Sequence, residues 1–260
     1  MPERVERKAF GEGLLHLNRN MVRMAELAQS SVRKAVDGLV HRNADEAREV
    51  FGLDREIYEL QQEIERECTD LIALHAPVAR DLRTITTVLK ISTDLDRIGR
   101  GARNLAEIAI ELAPLDPVKP KKLEKISRNA DLAIHMVDRA VRAFVERNDQ
   151  GVRDMASFDD AVDALHREIF DEIVAGLKDR SLRPEVGARY ILVNRHIERI
   201  ADHAVNIADR MVYLVSGETP HRKVTSSEAA GDAPAAPPPP PAAPTPAPPD
   251  PTGGSNVPSA

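Results

Sequence analysis

One stretch decides the fold because it occurs twice. Residues 21–43 read MVRMAELAQSSVRKAVDGLVHRN, and residues 126–148 read ISRNADLAIHMVDRAVRAFVERN. At a shift of 105 residues, 10 of these 23 positions are identical, ending in Arg42-Asn43 over Arg147-Asn148. Beyond the stretch, Asp54 lies over Asp159, Leu60 over Leu165 and Glu63-Ile64 over Glu168-Ile169. A third segment aligns at a shift of 102, so the second copy loses three residues at the preceding joint. A repeat of this length is a supersecondary unit used twice.

Periodicity says what the unit is. Ile91, Leu95, Ile98, Ala102, Leu105, Ala109 and Leu112 alternate intervals of four and three, which is one stripe of a long helix. Interior prolines fall at Pro77, Pro114, Pro117, Pro120 and Pro184, where a missing amide hydrogen is tolerated only at helix starts or connectors. The spacing predicts six helices, about 8–42, 44–75, 77–113, 119–147, 150–179 and 184–216. The fold expected is all-α: two tandem three-helix bundles at 7–113 and 121–216, joined by a linker at 114–120. Residues 217–260 form a Pro/Ala-rich tail, with 12 of the chain's 19 prolines after Gly231. Such a segment has too little apolar surface to offset its ordering entropy, and disorder is expected.

Composition agrees and removes several functions. The 260 residues are 42% hydrophobic but only 3% aromatic, without Trp, which suits helix packing better than sheets. The net charge of -6, with acids and bases interleaved, argues against a nucleic-acid partner. Cys68 is the one cysteine, so no disulfide within the chain and no cysteine-based zinc site can form. The charged start, Met1 to Lys8, predicts no signal peptide, and no apolar run is long enough for membrane insertion. A cytoplasmic location is the expectation.

The third helix of each copy carries the chemistry. Copy two reads Glu198-Arg199-Ile200-Ala201-Asp202-His203-Ala204-Val205-Asn206-Ile207-Ala208-Asp209, and copy one reads Asp96-Arg97-Ile98-Gly99-Arg100-Gly101-Ala102-Arg103-Asn104-Leu105-Ala106-Glu107. Glu198, Asp202, Asn206 and Asp209 fall within an arc of about 80°. The apolar stripe of Val193, Ile197, Ile200, Ala204, Ile207 and Met211 is opposite, which predicts an oxygen-bearing ladder on the outer face. Carboxylates one turn apart repel unless a charge neutralises them. Hard oxygen donors suit magnesium, manganese, calcium or iron, with water or another helix completing the shell. The bland alternative is a solvated acidic face countered by Arg195 and Arg199. In copy one Asp96, Asn104 and Glu107 keep their oxygens, but Arg100 stands where Asp202 stands. A guanidinium there pairs with Asp96 and repels a cation.

Other constellations are weaker. His75, His135, His166, His196 and His203 are scattered; His196 and His203 share a face without a third ligand and read as structural. No nucleophile elbow exists around Ser92, Ser127 or Ser157, and Gly99-Arg100-Gly101 lacks the strand and lysine of a phosphate loop. Cys68 reads as inert.

The duplicated unit, ending in acid-Arg-Ile-small-x-x-Ala-x-Asn-(Ile/Leu)-Ala-acid, resembles PhoU, a family of bacterial phosphate-uptake regulators. His75-Ala76-Pro77-Val78-Ala79-Arg80-Asp81-Leu82-Arg83 resembles that family's first-copy helix start, and the likeness covers residues 7–216. The resemblance implies a cytoplasmic, non-enzymatic negative regulator of the phosphate-starvation response, often a homodimer. It implies an adaptor between the ATPase of an ABC phosphate transporter and a sensor histidine kinase. It also implies a divalent metal or iron cluster (Fe, Zn, Mn or Mg) at an acid-x-x-x-Asp motif, which Glu198 and Asp202 match and from which Arg100 departs. The competing readings are a metal-handling or storage bundle, which would carry Glu-x-x-His pairs inside, and a purely structural scaffold.

Overall fold

The computed structural model describes residues 2–115 and 124–217, with side chains from Lys8 onward. Six long helices follow one another: α1 (Pro2–His41), α2 (Ala44–His75), α3 (Ala79–Leu112), α4 (Glu124–Glu146), α5 (Met155–Lys178) and α6 (Pro184–Ser216). No strand occurs among the described residues. The expected linker overlaps 116–123 and the expected tail 218–260, and both ranges lie outside the described residues.

The repeated Arg-Asn pair is a stop-and-start signal. Arg42 leaves α1 in the left-handed conformation (φ 55°), and the Asn43 amide closes on the Gly38 carbonyl at 2.9 Å. Arg147 does the same at φ 50°, with the Asn148 amide on the Ala143 carbonyl at 3.1 Å. This six-residue closure satisfies a carbonyl that the helix end leaves bare. Each asparagine then turns its side-chain oxygen to the next segment. Asn43 accepts from the Glu46 amide at 3.2 Å, and Asn148 from the Gln150 amide at 3.0 Å. The second start differs: a single 3₁₀ turn, Asp149–Val152, precedes α5, so α5 has 24 residues against 32 in α2.

Three helix starts depart from the sequence reading, the first helix beginning at Pro2 rather than at about 8. The third helix begins at Ala79 rather than Pro77. Pro77 sits in a three-residue connection between Ala76 and Val78, and Ala76 and Ala79 both take positive φ (42° and 46°). The fifth begins at Met155 rather than 150, because the 3₁₀ turn occupies the first residues.

Helices α1, α2 and α3 pack on one another, and so do α4, α5 and α6. The two triads join directly through α3 against α6 and α1 against α4, within one unit that spans the described residues. Gly99 and Gly101 permit this closeness. A Cβ at Gly99 would stand 2.9 Å from Ile57 Cδ1 on α2, and one at Gly101 would stand 3.2 Å from Ile200 Cγ1 on α6. The predicted stripe of α3, from Ile91 to Leu112, is buried throughout.

A charged clamp crosses the same joint. Asp94, with its side chain 3% exposed, meets His203 Nδ1 through Oδ1 at 3.1 Å and accepts from Arg210 Nε at Oδ2, 2.9 Å away. A buried carboxylate with both oxygens engaged is retained because removing it strands its partners. Replacing Asp94 by Ala should therefore destabilise the protein by about 3 kcal/mol in urea unfolding. Arg147→Gly should do the opposite, adding about 0.5–1 kcal/mol, because glycine takes the left-handed conformation without the Cβ penalty.

Candidate functional site

The acids of α6 do not stand alone. Glu198 and Asp202, one turn apart on α6, share a field with Asp159 and Asp163, one turn apart on α5. The Asp159 carboxyl is pushed up to about 6, first by burial, then by the charges of Asp163, Asp202, Asp160 and Glu198. The Glu198 side chain is only 12% exposed, with Arg195 Nη1 at 3.6 Å. The ladder is thus partly enclosed against neighbouring helices, not wholly outward as helical-wheel geometry suggests. Asp202 remains exposed, and Asn206 and Asp209 are half-buried. Asp209 is not among the charges that act most on Asp159.

Asp159 and Asp163 are the residues that sequence reasoning missed. The match of Asp54 over Asp159 marks the repeat, and the acid-x-x-x-acid spacing on the fifth helix mirrors that on the sixth. That mirrored spacing was the available signal.

The first half is arranged differently at the corresponding positions. Asp54 and Asp96 are kept, but Tyr58 replaces Asp163 and Arg100 replaces Asp202. Arg100 Nε lies 3.0 Å from Asp96 Oδ2, as the sequence predicts. Arg103 binds Asp54 at 3.2 Å through Nη1 and Glu107 at 3.2 Å through Nε. Asp96 is buried, and burial raises its carboxyl affinity for a proton against the opposing pull of Arg100. Asn104 is exposed. Each acid here is paired with a guanidinium, Asp96 with Arg100 and both Asp54 and Glu107 with Arg103, so this half does not fit a cation. The second half fits by donor chemistry: four carboxylates from two helices, one of them raised by burial and then by its acidic neighbours. Among the described residues, no three His, Cys, Asp or Glu side chains are already gathered as a coordination set. Closing one would need side-chain movement.

The two halves match the PhoU domain over residues 21–109 and 126–211. The chain belongs to the PhoU family. A phosphate-specific transport system accessory protein PhoU homolog from Synechocystis sp. is 32% identical over 213 residues, covering 82% of this chain and 94% of that protein. PhoU homolog 1 of Thermotoga maritima, also a phosphate-specific transport system accessory protein, is 31% identical over 214 residues, 82% of this chain and 92% of its own. The crystal structure of PhoU from Pseudomonas aeruginosa superposes with a TM-score of 0.75 at 29% identity, covering 80% of this chain and all of that one. PhoU is a family of accessory proteins rather than enzymes. No helix among the described residues is long and apolar enough to cross a membrane.

Two smaller expectations from the sequence meet their structural context here. Cys68 is fully buried, and burial first, then Glu67 and Glu65, pushes its thiol up to about 12, which disfavours the thiolate. His203 is not on the surface but inside the α3–α6 joint, held by Asp94. His196 is half-buried, and burial, Arg199 and Arg195 hold its proton affinity below the ordinary histidine value.

The Asp159 shift has a definite sign. Its folded value is raised from the ordinary 3.8, so the stability it contributes is present at low pH and lost as pH rises through about 6. Asp159→Asn removes that loss. Above pH 6 the variant should be more stable than wild type by about 1 kcal/mol, allowing for solvent screening of a half-exposed group. Below pH 4 the two should converge in thermal melts, and a constant gap across the range would contradict the assignment.

Proposed function

We propose that this chain is a non-catalytic regulator of phosphate uptake, working in the cytoplasm as an adaptor that restrains the phosphate-starvation response. The observation that carries the reading is the PhoU match over both halves, shared with relatives that are phosphate-specific transport system accessory proteins. The partners of such an adaptor would be the ATPase of an ABC phosphate transporter and a sensor histidine kinase, with a homodimer as the working form.

The architecture supports docking rather than chemistry. Long rigid helices present broad faces, and the α2–α3 corner leaves apolar side chains in water: Leu74 is 77% exposed and Val78 75%. Singly exposed apolar residues are ordinary, but two at one corner, Leu74 in the last turn of α2 and Val78 in the three-residue connection, offer a partner an apolar point. Deleting the gene should raise alkaline phosphatase activity in phosphate-replete cells. Wild-type protein should silence it again, and Leu74→Asp/Val78→Asp should restore silencing poorly while folding normally by circular dichroism. Unchanged activity in the deletion strain would contradict the regulatory reading.

Metal binding belongs to the same proposal and to the second half. Glu198 and Asp202, with Asp159 and Asp163 across from them, are the proposed ligands for a magnesium, manganese, zinc or iron ion. Asn206 and Asp209 extend the row along α6. A cation there would neutralise four crowded carboxylates and offer a Lewis-acidic point to a partner's oxyanion. Metal content of the purified protein should fall on Glu198→Gln/Asp202→Asn and stay unchanged on Asp96→Asn. Equal metal content in all three would remove the metal from the proposal.

A further inference from the structure

The duplicated motif contains an arginine in both copies that neither the metal reading nor the docking reading uses. Arg97 follows Asp96, and Arg199 follows Glu198, at the 102-residue repeat shift. Both are exposed, and neither forms an ion pair among the described residues. The fold brings these two related arginines, one from each half, to the walls of a single cleft between α3 and α6.

That cleft holds about 280 Å³ of space. Arg97, Arg100 and Asn104 line it from α3, and His196, Arg199 and His203 line it from α6. Its floor is the contact of Gly101 with Ile200, where the missing Cβ lets the helices approach. The spacings 97, 100, 101, 104 and 196, 199, 200, 203 are each one face of a helix, so the lining is a product of the crossing itself. No carboxylate lines the cleft. Three guanidiniums supply donors and make the interior positive, and two imidazoles and an amide add further hydrogen-bonding nitrogens.

Two of these groups are already held in position. Asp96 holds Arg100 through Nε at 3.0 Å. Asp94, itself tied to Arg210, engages His203 at Nδ1, which leaves Nε2 as the ring nitrogen for a ligand. Arg97 acts on Asp96 only through its field and Arg199 makes no ion pair among the described residues, and like charges drawn together across a crossing repel until an anion separates them. Guanidinium forks match the paired oxygens of phosphate better than a point charge does. The volume is at the small end for ligand pockets, which favours a phosphate group over a nucleotide-sized molecule.

We propose that the α3–α6 cleft binds a small phosphate-bearing anion, clasped between Arg97 and Arg199. The site is distinct from the acidic cluster on the α5 side of α6 and needs no metal. It stands whether or not the chain docks on a transporter.

Calorimetric titration of the full chain at pH 7, with EDTA present to exclude metal-bridged phosphate, tests this. The probes are orthophosphate, glycerol 3-phosphate and phosphatidylcholine vesicles carrying phosphatidic acid, with citrate as the carboxylate control. Saturable binding of a phosphate probe should fall by about tenfold or more in Arg97→Gln/Arg199→Gln. It should persist in Arg55→Gln/Arg66→Gln, which removes the same charge from exposed positions on α2. Binding of orthophosphate identifies the free ion, binding of the ester alone a phosphorylated metabolite, and binding of vesicles alone a lipid headgroup. The proposal is overturned if no phosphate probe binds, if citrate binds as well as phosphate does, or if the cleft variant binds undiminished while its melting curve shows it folded.

Discussion

A carboxylate sealed between helices from different halves of a duplicated chain has no water to fall back on. Asp94 is in that position, and it is satisfied only while His203 and Arg210 of α6 stand against α3. The clamp therefore favours one register of the two triads over neighbouring ones, because sliding by a turn would leave buried charge unpaired. The other features at this joint depend on that register. Gly101 meets Ile200, Arg97 faces Arg199 across one cleft, and His203 lines the cleft in a fixed orientation.

Duplication has left two halves with one scaffold and opposite electrostatics. The second half keeps four acids on facing helices, and burial first, then the neighbouring acids, raises Asp159 among them. The first half has exchanged two of the four positions, for Tyr58 and Arg100, and Arg103 neutralises both Asp54 and Glu107. With Arg103 standing where the second half has Val205, three differences within one repeat turn an acidic surface into one that neutralises itself. Under the proposed adaptor role such asymmetry matters, since equal halves could not tell two partners apart.

Much of the fold was legible because its signals are local. Alternating intervals of three and four gave α3 its buried stripe from Ile91 to Leu112, and Arg42-Asn43 and Arg147-Asn148 marked two joints that are built alike. The pairing of Arg100 with Asp96 was equally readable, being one helical turn apart. Nonlocal features were not. Asp94 and His203 lie 109 positions apart, and only the packing of α3 on α6 brings them together. Asp159 and Asp163 belong with Glu198 and Asp202 because α5 lies beside α6, a fact no spacing within one helix contains. The helical wheel placed the ladder outward because it sees one helix at a time, whereas the Glu198 side chain is nearly enclosed.

Cys68 has no part in any of this chemistry, and that gives it another use. The chain has a single thiol, placed with no exposure in the core of the first triad and with its Sγ–H directed at the Ile85 carbonyl of α3. A thiol reagent can reach it only when α2 parts from α3. The rate of its modification therefore counts openings of the first half alone, against a second half that carries no sulfhydryl. The protein thus contains its own clock for asking whether one half of a duplicated fold breathes without the other.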